Sequence, residues 1–572
     1  MNLPDVRKRL TSPFSVFILL WLVINSLQGR FTDLNNDEAY YWMYSLYPTW
    51  GYFDHPPMIA VMIKAGYLIF HNELGVRLLS IIFSATSLIM IWSLIPESDG
   101  KKSNLPCFIM LAVILPVFNI YGFIATPDSP LIFFSVLFLV IYKKFREKET
   151  WNNTVFLGVI MAAMMYSKYH AALLLVFVII SDLKLLLRPK FYVASIIGLI
   201  LFIPHISWQV ANDFPSFKYH LVERVSGLNP GNIPEYLGNL LVFQNPVILI
   251  LGTWLIFKRK SADTFERTLR FVFFGFMIFF LFSALRYRVQ PQWTSLMSIP
   301  LIIIVFSSID FSRVTVKTIR WTMYIMFPLI ILFRTALVFD FLPVKFLKEE
   351  YHDYSKKMKE LGALAGERPV VFTNSYQDPS VYTFYTGKFA HSLNNLNYRR
   401  TQYDIWDFEN RIHGKEILYA PHWPTNYIMD NFRKYRFFNG DTIYLKEYND
   451  FRSVQKEIAY LDSPHYTFSK TKADSLALRI FNPYPYPVDI RHPDFPLVFY
   501  ITFFSDGVKV ARYTLPLPES VSSLTPGDTI TVSSGFMPAD LKEQDYTVAV
   551  CCEAGPLYDP VNSNIARATV TK

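Results

Sequence analysis

The sequence predicts a polytopic α-helical membrane protein followed by a soluble C-terminal region. Three observations carry this. Up to about Val338 the chain is a succession of apolar runs separated by short polar loops, whereas beyond Asp340 it reads as an ordinary soluble protein. Several runs, such as residues 76–95, 106–124, 191–208 and 237–257, approach the roughly 20 residues that a spanning helix needs. The basic residues gather in alternate loops. The averages over all 572 residues, 52% hydrophobic and 17% aromatic with mean hydropathy +0.24, conceal these two unlike halves.

Eleven spans are predicted, at about 13–29, 76–95, 106–124, 130–142, 152–167, 170–183, 191–208, 237–257, 270–285, 293–308 and 321–338. Loops on the N-terminal side then hold twenty lysines and arginines, among them Arg7-Lys8-Arg9 and Lys258-Arg259-Lys260, against seven opposite. The positive-inside bias places the N-terminus in the cytoplasm and the C-terminal region outside it. The formal charge of +9 is thereby explained by topology, which removes the reason to expect a nucleic-acid partner. Residues 57–70 are apolar enough to resemble a span. A crossing there would leave only Asn72-Glu73-Leu74 before the next helix and would turn every later basic loop outward, so this segment is expected to lie at the outer interface. The segment 7–27 has the charge and apolarity of a signal peptide without a clear cleavage site, and is expected to be a retained anchor.

The expected domains are a membrane domain over 1–340, an α/β unit over 341–450 and an immunoglobulin-like β-sandwich over 451–572. The α/β expectation rests on the buried-strand pattern Pro369-Val370-Val371-Phe372-Thr373 and on Gly414-Lys415-Glu416-Ile417-Leu418-Tyr419. The sandwich expectation rests on short alternating runs punctuated by Ser505-Asp506-Gly507 and Gly527-Asp528. Cys107 falls in a span, and Cys551-Cys552 adjoin on a strand, so no disulfide framework or metal-ligand spacing emerges.

The predicted topology brings distant polar residues to one membrane face. Asp37-Glu38-Ala39-Tyr40-Tyr41-Trp42 follows the first outward crossing, and Gly51-Tyr52-Phe53-Asp54-His55-Pro56-Pro57 lies in the same loop. Ala125-Thr126-Pro127-Asp128-Ser129-Pro130, Ser167-Lys168-Tyr169-His170, the loop with His220, Glu223 and Arg224, and Arg286-Tyr287-Arg288-Val289-Gln290-Pro291-Gln292-Trp293 end later crossings. Each has a plain reading alone: an aromatic belt, a helix N-terminus rich in acid, a capped turn, or snorkelling arginines. Charged groups beside a membrane are expensive to desolvate, and this many on one face suit chemistry with a phosphate leaving group. A base would deprotonate the nucleophile while cations stabilise the developing charge.

Those motifs, in that order, resemble bacterial GT-C glycosyltransferases of the branch that holds protein mannosyltransferases and lipid A aminoarabinose transferase. The resemblance covers about residues 13–338. It implies a single-sugar donor carried on a polyprenyl phosphate, transfer with inversion at the outer face of the inner membrane, and an acceptor that is lipid A, a protein or a lipid-linked glycan. No metal ligand set is assigned, and no cofactor beyond the polyprenyl-phosphate-linked sugar, which is the donor substrate. Carried over by position, Asp37 is the general base, with Asp128 orienting the base or acceptor and Glu38 in support. The donor phosphate falls to Lys168 and Arg224, then Arg288. His55 stands where the aminoarabinose branch has lysine, and histidine is only partly protonated near neutrality. Tyr40, Asp54 and Tyr169 are the candidates for contact with sugar or acceptor. Two rivals to single-sugar transfer are a flippase or transporter of a lipid-linked saccharide and an oligosaccharide polymerase or ligase. A transporter should show repeated halves and a site near the midplane; no repeat is visible here.

Overall fold

The computed structural model describes residues 12–97, 99–220, 227–308, 313–396, 398–421, 431–557 and 560–572. Its contacts divide the chain into two compact units, Met1–Tyr354 and Ser355–Lys572.

The first unit is helical. All eleven predicted segments contain helix, and among the described residues five helices are long and apolar enough to cross a membrane: Pro13–Phe31, Glu73–Leu94, Pro189–Ala211, Pro291–Ser308 and Thr315–Val338. Two predicted spans are broken. Residues 237–257 form Asn232–Gln244 and Pro246–Lys258, which meet at 92°. The bend occurs at Asn245, in the left-handed region at φ 60°, whose side chain caps the N–H groups of Val247 and Ile248. Residues 106–124 divide into Leu105–Ile114 and Pro116–Ile120, because Pro116 has no N–H to continue the ladder. The breaks support each other: Asn245 Nδ2 donates to the Ile114 carbonyl at 3.2 Å. The predicted span 130–142 belongs to a longer helix, Asp128–Glu147, whose last turns carry Lys143, Lys144 and Arg146.

Residues 57–70 fold as the short helix Met58–Tyr67, at ten residues about 15 Å long and half a bilayer core. The chain then doubles back into Glu73–Leu94. This tight reversal needs glycine on both sides, since a Cβ on Gly66 would lie 2.2 Å from the Gly75 carbonyl oxygen.

One ion pair fixes the geometry of this region. Arg77 and Glu38 are both 0% exposed. Arg77 Nε and Nη2 donate to Glu38 Oε1 and Oε2 at 2.8 and 2.5 Å. The remaining guanidinium hydrogens go to the carbonyls of Gly29, Thr32 and Asp33. Glu38 also accepts from the Ala125 N–H at 2.8 Å and forms a capping box with Asn35 at the start of helix Asn36–Leu46. Every donor of the arginine is thus used.

The second unit joins a five-stranded mixed sheet to a β-sandwich. In the mixed sheet, Val370–Thr373 pairs in parallel with Ala390–Leu393 and Ile417–Pro421, and the helix Gln377–Thr386 makes the crossover. Thr442–Tyr448 and Arg433–Arg436 extend the sheet antiparallel. In the sandwich, Leu497–Ser505 and Val508–Leu515 form a hairpin around Asp506-Gly507, with φ 49° and 76° at the turn. The sheet containing them faces a second sheet containing Thr529–Phe536. Phe468 and Phe503 of the first sheet meet Phe536 of the second at 4.9 and 6.2 Å between ring centroids. Val371 and Tyr419 of the mixed sheet lie in the same hydrophobic cluster as Phe499 and Ile501, so the two parts share one core. Cys551 and Cys552 are both buried and unbridged.

Arg77→Met should strand the Glu38 carboxylate in the interior, a change that costs about 3–5 kcal/mol where a buried pair loses one partner. The expected outcome is a large fall in the melting temperature of the detergent-solubilised protein, with substantial recovery when Glu38→Gln is added.

Candidate functional site

Consecutive carboxylates take opposite roles here. Helix Asn36–Leu46 turns Glu38 inward onto Arg77 and leaves Asp37 half-exposed in its first turn. Glu38, expected in support of Asp37, has both its oxygens occupied by Arg77, Asn35 and Ala125. Asp37 keeps access and gains the favourable field of a helix N-terminus.

Asp128 opens helix Asp128–Glu147, and Lys168 caps the end of Trp151–Ser167. Their side chains meet at 2.7 Å, both buried. Lys168 is therefore engaged by a carboxylate and is not the free cation expected for a phosphate. Ser295 lies beside Asp128. The charges of Asp37 and Asp128 both act on the buried Tyr121 hydroxyl, although 91 residues separate the two carboxylates in the chain.

The loop holding Asp54 and His55 is braced by aromatic rings. Tyr44 stacks on Tyr52 at 3.9 Å and donates to Asp54 Oδ1 at 2.7 Å, while the Tyr52 hydroxyl donates to the Tyr44 carbonyl. Burial first, then the charge of Asp54, pushes the Tyr44 hydroxyl well above its ordinary value, so it remains a donor. Asp54 is thus a buried brace, and its carbonyl lies 3.0 Å from His220 Nε2. Tyr40 is 1% exposed and packs its ring 4.7 Å from Tyr44, which removes it from the candidates for sugar contact.

A second polar chain joins this loop to helix Pro189–Ala211. His205 bridges the Trp50 carbonyl at 2.7 Å and the Tyr169 hydroxyl at 2.9 Å. Gln209 donates to Tyr169 and Ser216, and Ser216 donates to the Tyr52 carbonyl. Tyr169 stays half-buried at the edge of this chain. The His55 ring lies 5.6 Å from Tyr41 and 6.3 Å from His220. Arg288 sits apart, 78% exposed and paired with Glu235, and is no part of the cluster. Arg224 lies outside the described residues. Among the described residues no group of three or more His, Cys, Asp or Glu could hold a metal ion.

Three contributors escaped the sequence reading. Arg77 was a charge inside an apolar run, a signal that could have been used. His205 lies within the predicted span 191–208 and was not among the candidates. Glu350, from the segment after the last long helix, accepts from Asn36 Nδ2 at 3.0 Å. Burial, followed by the charge of Asp37, raises its carboxyl above the ordinary range, so Glu350 and Asp37 feel each other.

Residues 54–208 match the family model described as dolichyl-phosphate-mannose-protein mannosyltransferase. Among solved structures, apo ArnT from Cupriavidus metallidurans aligns with a TM-score of 0.57 at 12% identity, over 75% of this chain and 97% of that one. The same protein bound to undecaprenyl phosphate aligns with a TM-score of 0.53 at 12% identity, over 76% and 97%. No curated protein matches the chain. The chain is a multi-pass membrane protein with the GT-C fold of ArnT, resembling the protein mannosyltransferase and aminoarabinose transferase branch of glycosyltransferases.

Proposed function

We propose that the protein transfers one sugar from a polyprenyl-phosphate donor to an acceptor hydroxyl or similar nucleophile at the outer face of a bacterial inner membrane, with inversion. The observation that carries this reading is the division of the acidic pair. Glu38 is locked on Arg77, whereas Asp37 in the same helical turn is half-exposed, and the charges of Asp37 and Asp128 both act on Tyr121. Asp37 takes the proton of the acceptor as its oxygen attacks the anomeric carbon. The bond from that carbon to the phosphate oxygen breaks, and its electron pair leaves on the polyprenyl phosphate. One face receives the nucleophile and the other releases the phosphate, which gives inversion.

In this reading the Asp128–Lys168 pair orients the base and acceptor. His55 and His220 lie at the donor end and Tyr169 at the sugar. Arg224 remains the sequence candidate for gripping phosphate. The match of residues 54–208 to mannosyltransferases, and the existence of an ArnT structure holding undecaprenyl phosphate, support the donor class. The basic residues of alternate loops support a cytoplasmic N-terminus. The fold favours transfer over the flippase reading.

Asp37→Asn should fold and insert normally yet lose about 10²–10⁴-fold in turnover of a polyprenyl-phosphate sugar, the usual range for a general base. Near-normal turnover by the purified variant sinks the assignment. Glu350→Gln removes a carboxyl group whose titration is coupled to the charge of Asp37. The acidic limb of its kcat/KM profile should move to lower pH; an unmoved limb separates Glu350 from the base. In a deletion strain, mass spectrometry of lipid A, glycoproteins and lipid-linked glycans should show one class missing a sugar. Accumulation of an unchanged lipid-linked glycan on the inner leaflet would instead indicate a flippase.

A further inference from the structure

Helices Ala171–Ser181, Pro246–Lys258 and Thr264–Ser283 enclose an open groove of about 980 Å³ that has no part in the site above. Its long wall is one face of Thr264–Ser283, where Arg270, Phe271, Phe274, Ile278 and Phe282 recur at helical spacing. From Arg270 to Phe282 this wall runs about 18 Å, close to the roughly 15 Å of one hydrocarbon leaflet. Gly275 keeps the groove's inner wall close, because a Cβ there would lie 2.6 Å from the Phe177 ring.

Charge lies only at one end. Lys258, Arg259, Lys260 and Arg270 line the groove there, whereas Phe279 and Phe282 line the other end. Between residues 258 and 270 five basic residues face two acidic ones, a net +3. Glu266 bonds both Arg259 and Arg270, and Arg270 also donates to the carbonyls of Ile256 and Arg259, so these two arginines hold the helix ends together. Lys258 and Lys260 are exposed, and among the described residues neither forms an ion pair; Lys258 rests 4.6 Å from the Trp254 ring. The outline is an apolar trough one leaflet long with two available ammonium groups at its mouth.

We infer that this groove is a binding site for an anionic glycerophospholipid, with its phosphate at Lys258 and Lys260 and an acyl chain along Phe274, Ile278 and Phe282. Basic pockets between membrane helices bind anionic head groups through this combination. The inference is independent of the glycosyl-transfer reading.

The test uses the full chain in phosphatidylcholine nanodiscs, titrated with phosphatidylglycerol and read by native mass spectrometry for retained lipid. The protein should retain phosphatidylglycerol in preference to phosphatidylcholine. Lys258→Gln with Lys260→Gln should weaken that preference about fivefold per lysine, or about thirtyfold together, and the corresponding double substitution to arginine should keep it. Ile278→Trp should block retention with the charge unchanged. Equal retention of both lipids, or a preference untouched by the glutamine substitutions, overturns the inference. So does displacement of phosphatidylglycerol by equimolar undecaprenyl phosphate, which would assign the groove to a polyprenyl carrier.

Discussion

Glu38 and Arg77 sit in the interior as opposite charges, both fully buried, an arrangement that persists only when nearly every lone pair and hydrogen is satisfied. Here the arginine spends its donors on Glu38 and on three carbonyls at the end of the first helix. The glutamate spends its remaining capacity on Asn35 and Ala125. Four chain segments therefore meet at one point: the end of Pro13–Phe31, the start of Asn36–Leu46, helix Glu73–Leu94 and the turn before Asp128. The relative placement of Asp37 and Asp128 follows from this meeting, because each lies within three residues of an atom that Glu38 or its partners hold. A shift of register at any one segment would leave a charge or a hydrogen-bonding group of this meeting unpaired.

The same economy recurs around the site. Asp54 is held by Tyr44, which is stacked on Tyr52, and Tyr52 closes the loop onto the Tyr44 backbone. His205 and Gln209 carry the connection through Tyr169 to a distant helix. Most of the polar residues gathered here thus spend their hydrogen bonds on one another. Asp37 differs in being half-exposed, and Glu350 adds a like charge in its neighbourhood. In the proposed reading, a base held at the edge of a rigid polar frame need not reorganise when an acceptor arrives.

Much of this was legible in the chain. The apolar runs located the helices, since no soluble segment places so many apolar residues in succession. The acidic pair, Asp128 and Lys168 were found from charge beside apolar sequence. What misled was the treatment of motif neighbours as equals. Tyr40 and Asp37 share a motif, yet Tyr40 falls on the buried side of its short helix and Asp37 at its open end. Arg288 belongs to a motif that contributes to the fold, and its own side chain extends outward to Glu235. The bend at Asn245 escaped detection because hydropathy is blind to backbone direction; two apolar helices meeting at 92° score like one straight span.

By itself the sequence determined the membrane character, the helical and β-rich halves, and the residue types that converge near Asp37, because burial in lipid and backbone satisfaction are properties of composition and local pattern. Only the tertiary structure decided which carboxylate of the pair is buried in an ion pair, which cation is already neutralised and which helices are broken. Those outcomes depend on partners far along the chain. Glu38 becomes structural through Arg77 and Ala125, and Lys168 loses its freedom to Asp128. An ionised side chain in a low-dielectric interior takes its role from the group it faces, and that group is set by the fold.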